Sequence, residues 1–278
     1  MTQHLQPTHR PVRHTRHRRP RRGAPALISS LSVLVVLGSW FIAAAAGGIN
    51  TLFIPAPWQL WQAFLRLLAE GYMGISLGQH IAASLLRVLS ALMIAMVTAI
   101  PLGIVMGLNR TWRAAVDPLI NFYRPIPPLA YLPLIVIWFG IGEFSKILLI
   151  YLAILAPLVI STYEAVRKTD LSRVRAVRCL GASRGQVIGL VILPGIVPEL
   201  LTGLRIALGA GWSTLVAAEL IAANRGLGFM VQSASQYLAT DVVVAGIVLI
   251  ALVALSIELL LSQIQKRLAG WSLYEYHR

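Results

Sequence analysis

Cysteine occurs once in the 278 residues, at Cys179, so neither a disulfide framework nor a cysteine-built metal site can form. Acids are scarce too: 10 Asp and Glu stand against 24 Lys and Arg, and only 12% of residues are charged. A soluble domain carries about 25% charged residues, and half that leaves too little polar surface to cover a globule. Catalytic signatures are missing as well. The chain has no Gly-x-x-x-x-Gly-Lys-Ser/Thr phosphate loop, no His-Glu-x-x-His and no Gly-x-Ser-x-Gly. The acids inside apolar stretches (Glu199, Glu219 and Glu258) lie far apart in sequence. A membrane hydrolase or proton-driven carrier would need a constellation of such groups. What is plentiful is apolar: 57% of the residues are hydrophobic and the mean hydropathy is +0.75. The class expected is an all-α, polytopic membrane helix bundle with no catalytic residue, cofactor or metal of its own.

Residues 1–25 are rich in Arg, His and Pro and nearly devoid of apolar side chains. Burial cannot offset the ordering entropy of such a segment, which predicts a disordered basic tail. Its charge is read as a cytoplasmic anchor rather than a nucleic-acid contact, because Lys and Arg mark the inner side of a first span. Residues 26–46 carry no charge, and at ~1.5 Å per residue they make about 31 Å of helix, enough for a bilayer core of ~30 Å. The run Ala43-Ala44-Ala45 looks like a signal-peptidase site, but the stretch exceeds a signal core of roughly 7–15 residues, so an uncleaved span is expected. In 55–71, Pro55 and Pro57 break the chain, after which Leu60, Trp61, Phe64, Leu65 and Leu68 share one helical face. An interfacial amphipathic helix and a packed connector both fit that pattern.

Five further spans are expected at 82–108, 129–141, 147–163, 197–223 and 242–261, six in all. The charge between spans alternates. Segment 109–128 holds Arg110, Arg113 and Arg124 against Asp117, and 164–196 holds six bases against Glu164 and Asp170. Segments 47–80, 142–146 and 224–241 are neutral. This places the tail, the 164–196 loop and the C-terminal segment 265–278 in the cytoplasm. Arg205, inside a span, is taken as offset by Glu199 near the cytoplasmic end of the same helix.

The 164–196 loop has its own punctuation. Asp170 can cap a helix running to Leu180, with Gly181 as a left-handed stop. Ser183 and Gln186 form a capping-box pair that starts a second short helix, expected to end before Pro194. Together they predict a compact knob whose mixed basic and apolar surface suits a partner protein. Arg175-Ala176-Val177, Gly181 and Val191-Ile192-Leu193-Pro194 resemble the Glu-Ala-Ala-x3-Gly-x9-Ile-x-Leu-Pro loop of ABC importer permeases. Ala176, Gly181, Leu193 and Pro194 match that loop, while Arg175 replaces its Glu, Val177 its second Ala and Val191 its Ile. The resemblance implies that this loop is a coupling helix seated in an ATP-hydrolysing subunit, carried by Arg175, Ala176, Val177, Gly181, Ala182, Ser183, Leu193 and Pro194.

Residues 123–154 and 203–247 extend the resemblance to the taurine, alkanesulfonate and nitrate branch, taurine above all, with the permease core at about 79–264. The fold implied is a type I ABC importer transmembrane domain. The partners implied are a separate ATP-binding subunit, a soluble substrate-binding protein and a second copy of the chain, all at the inner membrane and its lipid. The alternatives are other alkanesulfonates, nitrate, or a self-sufficient channel or carrier.

For the substrate path, Trp212, Ser213, Thr214 and Glu219 offer an aromatic face, hydroxyls and an acid to a zwitterion; the other reading of Glu219 is an acid paired with a structural base or sitting at the interface. Pro127 and Pro128 break the backbone at membrane depth, where such breaks are tolerated beside a cavity, and Trp138 follows them. Gly203, Ala207 and Gly211 form a small-residue stripe, suited either to a dimer seam or to internal packing.

Overall fold

The computed structural model describes residues 24–48, 50 and 53–268, and every regular element among them is helical. The expected disordered tail and the end of the C-terminal segment, residues 269–278, lie outside the described residues. The chain divides into two units, 1–49 and 50–278. The first contains α1 (Ala24–Ala45), a charge-free helix of about 33 Å at ~1.5 Å per residue.

The second unit begins with α2 (Pro57–Ala69), started by Pro57 and by Gln59 reaching back to the Ala56 amide. Ala63 and Leu67 are buried within the unit, while Trp58, Trp61, Leu65 and Leu68 remain exposed. Then come α3 (Leu77–Leu108), opened by a Ser76/Gln79 capping box, and α4 (Arg110–Tyr123), whose cap Asn109 also ends α3. A 3₁₀ turn, Pro128–Tyr131, leads into α5 (Leu132–Phe139). The remaining helices are α6 (Glu143–Arg167), α7 (Leu171–Cys179), α8 (Arg184–Val187), α9 (Leu193–Ala222), α10 (Leu227–Gln236) and α11 (Thr240–Leu268).

Among the described residues four helices are long and apolar enough to cross a membrane: α3, α6, the continuous run Arg184–Ile221, and α11. The span expected at 129–141 takes another form. Pro128–Phe139 is too short to cross alone and meets α4 at 87°, so the two make at most one broken span. Proline at 125, 127, 128 and 133 explains the break, since each removes a backbone donor.

The core lies where α6 packs between α3 and α9. Val88, Ala91, Ala95 and Ala99 of α3, Ile150, Ile154 and Leu158 of α6, and Leu204, Ala207 and Leu215 of α9 are buried together. The small-residue stripe settles here. A Cβ at Gly203 would collide with Ser161, one at Gly211 would lie 2.7 Å from Ile154, and Ala207 is fully buried. Gly203, Ala207 and Gly211 therefore form a close seam with α6 inside the chain.

Candidate functional site

The knob forms at the start of the long run that becomes α9. The Ser172 hydroxyl and amide donate to Asp170 at 2.7 and 2.8 Å, which holds that carboxyl below its usual range and caps α7. At the other end the Gly181 amide donates to the Arg178 carbonyl (3.0 Å) and the Ala182 amide to that of Val177 (3.3 Å). These two bonds make a Schellman stop, with Gly181 left-handed at φ +87°. The Ser183/Gln186 box then starts α8.

One expectation fails. The second helix does not end before Pro194 but widens into a π-turn over Ile188–Ile192 and continues as α9. The Leu193 amide bonds to the Ile188 carbonyl, five residues back. Such a bulge re-spaces the carbonyls that an incoming proline ring would strike in a regular α-helix.

Burial sorts the expected coupling residues into two sets. Val177 and Ala182, with Val174, Val187 and Ile192, pack on Ala165, Val166 and Ile196 and fix the knob to the bundle. Arg175, Ala176, Gly181, Ser183, Leu193 and Pro194 are exposed. Between them stand Arg178 and Leu180, the latter 87% exposed. The free surface is thus a basic rim around an unburied leucine.

At the opposite end of the bundle lies a buried ion cluster. Arg87 of α3 is 2% exposed and meets both oxygens of Glu143, from Nε at 2.6 Å and from a terminal nitrogen at 2.7 Å. Its other terminal nitrogen is 2.6 Å from Glu219 Oε1 and 2.8 Å from the Arg225 carbonyl. The Ser84 hydroxyl lies 2.8 and 3.0 Å from the two oxygens of Glu219, and the Gly228 amide donates to Oε2 at 2.8 Å. Lys146, also buried, meets Glu143 at 3.2 Å. Two bases and two acids tie α3, α6, α9 and the entry to α10 together. Burying charge is tolerable only with this degree of pairing. Glu219, read either as a substrate contact or as the partner of a structural base, is 1% exposed and paired with Arg87.

The other expected path residues scatter. Pro127 and Trp138 are exposed and Pro128 half-buried around the α4–α5 break. Ser213 and Thr214 spend their hydroxyls on the carbonyls of Gly209 and Ala210. Trp212 lines a cavity between α9 and α11 with Arg205 and Glu258. Arg205 pairs with Glu258, not with Glu199 as expected. Nothing local in the sequence pairs Arg87 or Arg205 with its acid. An ionisable residue inside an apolar span was the available signal, but partners 132 and 53 residues away carry no local mark.

Four apolar spans tied by a buried ion cluster, with a self-capped basic knob at one end, make a polytopic helical membrane protein. The family described as "Binding-protein-dependent transport system inner membrane component" matches residues 99–270, and the chain belongs to it. It is the membrane-spanning subunit of an ABC importer, an inner-membrane component working with a substrate-binding protein and an ATP-binding subunit. The taurine transport system permease protein TauC of Escherichia coli (strain K12) is 56% identical over 245 residues, 88% of each chain. The bicarbonate transport system permease protein CmpB of Synechococcus elongatus is 33% identical over 66% of each chain. In fold, the chain is similar to one in an inward-facing structure of the MetNI methionine ABC transporter, with TM-score 0.62 and 19% identity, covering 69% of this chain and 95% of that one. That is the type I importer architecture.

Proposed function

We propose that this permease imports taurine or a closely related small sulfonate. The observation that carries the reading is the 56% identity, over 88% of both chains, to a taurine permease. Hydrolysis of ATP falls to a separate subunit seated on the knob at 171–194, where the exposed rim of Arg175, Ala176, Gly181 and Ser183 is supported from behind by Val177 and Ala182. Leu193 and Pro194 form the root of that seat at the start of α9. The alternating loop charge puts the knob and both termini in the cytoplasm, and a second copy completes the path in the membrane.

The test is reconstitution with the cognate ATP-binding subunit and binding protein in liposomes, followed by uptake of labelled solutes. Taurine should enter in an ATP-dependent manner, ahead of amine-free alkanesulfonates and nitrate. Uptake without the ATP-binding subunit would mean a self-sufficient carrier. Equal uptake of butanesulfonate, delivered by a binding protein that accepts both, would overturn the substrate.

A further inference from the structure

We propose that the polar stripe of α4 lines a water-filled passage for a small sulfonate, with Arg124, at the break of the span, drawing the anion in. By helical angle α4 divides into three faces. Val116, Ile120 and Tyr123 share the first, and Val116 and Ile120 pack on the α3–α6–α9 core. Trp112, Leu119 and Phe122 make an exposed apolar face. Arg113, Asp117, Asn121 and Arg124, spaced four, four and three residues apart, make the third.

This third face runs through the membrane rather than along its surface. The end of α3 that leads into α4 is level with the knob end of α6, since a Cβ at Gly107 would lie 2.6 Å from Val166. At the far end of α4 the Tyr123 hydroxyl donates to the Leu152 carbonyl at 2.7 Å. The 14 residues of α4 rise about 21 Å at ~1.5 Å each, as far as Val166 to Leu152 along α6. So α4 climbs beside α6 to beyond its middle, and Arg124 follows directly as the C-cap. Charged side chains at that depth face partners or wet cavities. Asn121 and Arg124 are exposed and Arg113 and Asp117 half-buried. None of the four side chains has a hydrogen-bond or ion-pair partner among the described residues.

Lipid is a poor cover for this stripe, because an unpaired charge in hydrocarbon is costly. A dry seam with a second copy is no better: a two-fold contact sets a patch against itself, and Arg113 and Arg124 outnumber Asp117 on each copy. Water is the cover that suits all four groups. The proline break at 125–128 agrees, since broken backbone at membrane depth is tolerated beside a water-filled cavity. A wet cleft with low-dielectric walls and net positive charge concentrates anions. Taurine presents a sulfonate to such a wall, and the choice of solute rests on the import reading above.

The full transporter, with its ATP-binding subunit and binding protein, is prepared with Cys179→Ser so that one introduced thiol reports alone. Inverted vesicles are labelled with sulfonatoethyl methanethiosulfonate, an anion, and with its trimethylammonium counterpart. Asn121→Cys should react with the anion about tenfold faster than Phe122→Cys on the apolar face, because only a thiolate reacts and an apolar surrounding keeps the thiol neutral. Adding Arg124→Gln to Asn121→Cys should slow the anion about tenfold relative to the cation, the lower end of what a charged cleft contributes, and Arg124→Lys should preserve the ratio. Taurine uptake into liposomes should fall about tenfold in Arg124→Gln alone and recover in Arg124→Lys. Equal labelling of the two thiols overturns the passage. An anion-to-cation ratio unmoved by Arg124→Gln, or wild-type uptake in that variant, overturns the part given to Arg124. Absence of taurine uptake in the wild type, with both labelling ratios as expected, overturns the import reading and upholds a sulfonate passage.

Discussion

Two acids on the membrane-spanning helices differ in how many donors surround them. Glu219 has a guanidinium, a hydroxyl and a backbone amide within hydrogen-bond distance; Glu258 has one guanidinium and stays partly exposed. Removing one partner of a buried pair leaves an uncompensated charge, at a cost of about 3–5 kcal/mol. Glu219→Ala should therefore lower the thermal midpoint of the detergent-solubilised protein severely, and joint replacement of Arg87 and Glu219 by apolar residues should cost less than Glu219→Ala alone. A midpoint unchanged by Glu219→Ala would show that the cluster carries no stability. Overpacking acts nearby: Ala207 is fully buried in the α6–α9 seam, so Ala207→Leu should destabilise the chain by about 1–3 kcal/mol. The same midpoint measurement checks it, and a loss confined to subunit stoichiometry would move the seam to a dimer interface.

At the scale of elements, the knob is legible in the sequence because its signals are local. Asp170, Gly181 and the Ser183/Gln186 pair act on backbone groups within a few residues of themselves. The π-turn was not legible: Pro194 reads as a stop, and only the re-spaced carbonyls upstream let the helix pass through it. The ion pairs were hidden for the opposite reason, since α3, α6, α9 and α11 must pack before Arg87 and Arg205 meet their acids. The seam had an ambiguous signal, because small residues suit packing within a chain and between chains alike. Gly181 offers the cleanest test of the knob. No atom stands within 4 Å of a Cβ added there, so the penalty is purely of backbone conformation, roughly 1–2 kcal/mol for a side chain in the left-handed region and worst for a β-branched one. Gly181→Val should keep membrane levels normal while weakening ATP-binding subunit pull-down and uptake together. Arg184→Ala, one residue past the second cap, should cost far less. Wild-type pull-down and uptake in Gly181→Val would separate the knob from coupling.

For the whole molecule, the open question of orientation has a native reporter. Cys179 is the sole cysteine and is exposed on α7, beside Arg175 and Arg178. The 164–196 loop, with its excess of bases, and the Arg-rich tail give the same sign to two well-separated segments, and positive charge is retained on the cytoplasmic side. Deleting residues 2–20 leaves Arg21 and Arg22 ahead of the first span, so the remaining charge should still hold the chain one way round. A membrane-impermeant maleimide should therefore fail to label Cys179 in intact spheroplasts and should label it in inverted vesicles, for the full chain and for the deletion alike. In inverted vesicles that also hold the ATP-binding subunit, labelling should slow, because a partner seated on the α7 rim covers the thiol. Labelling in spheroplasts by the full chain would invert the topology, and labelling by the deletion alone would make the tail the determinant of orientation. Equal labelling rates with and without the ATP-binding subunit would place that subunit's seat away from α7.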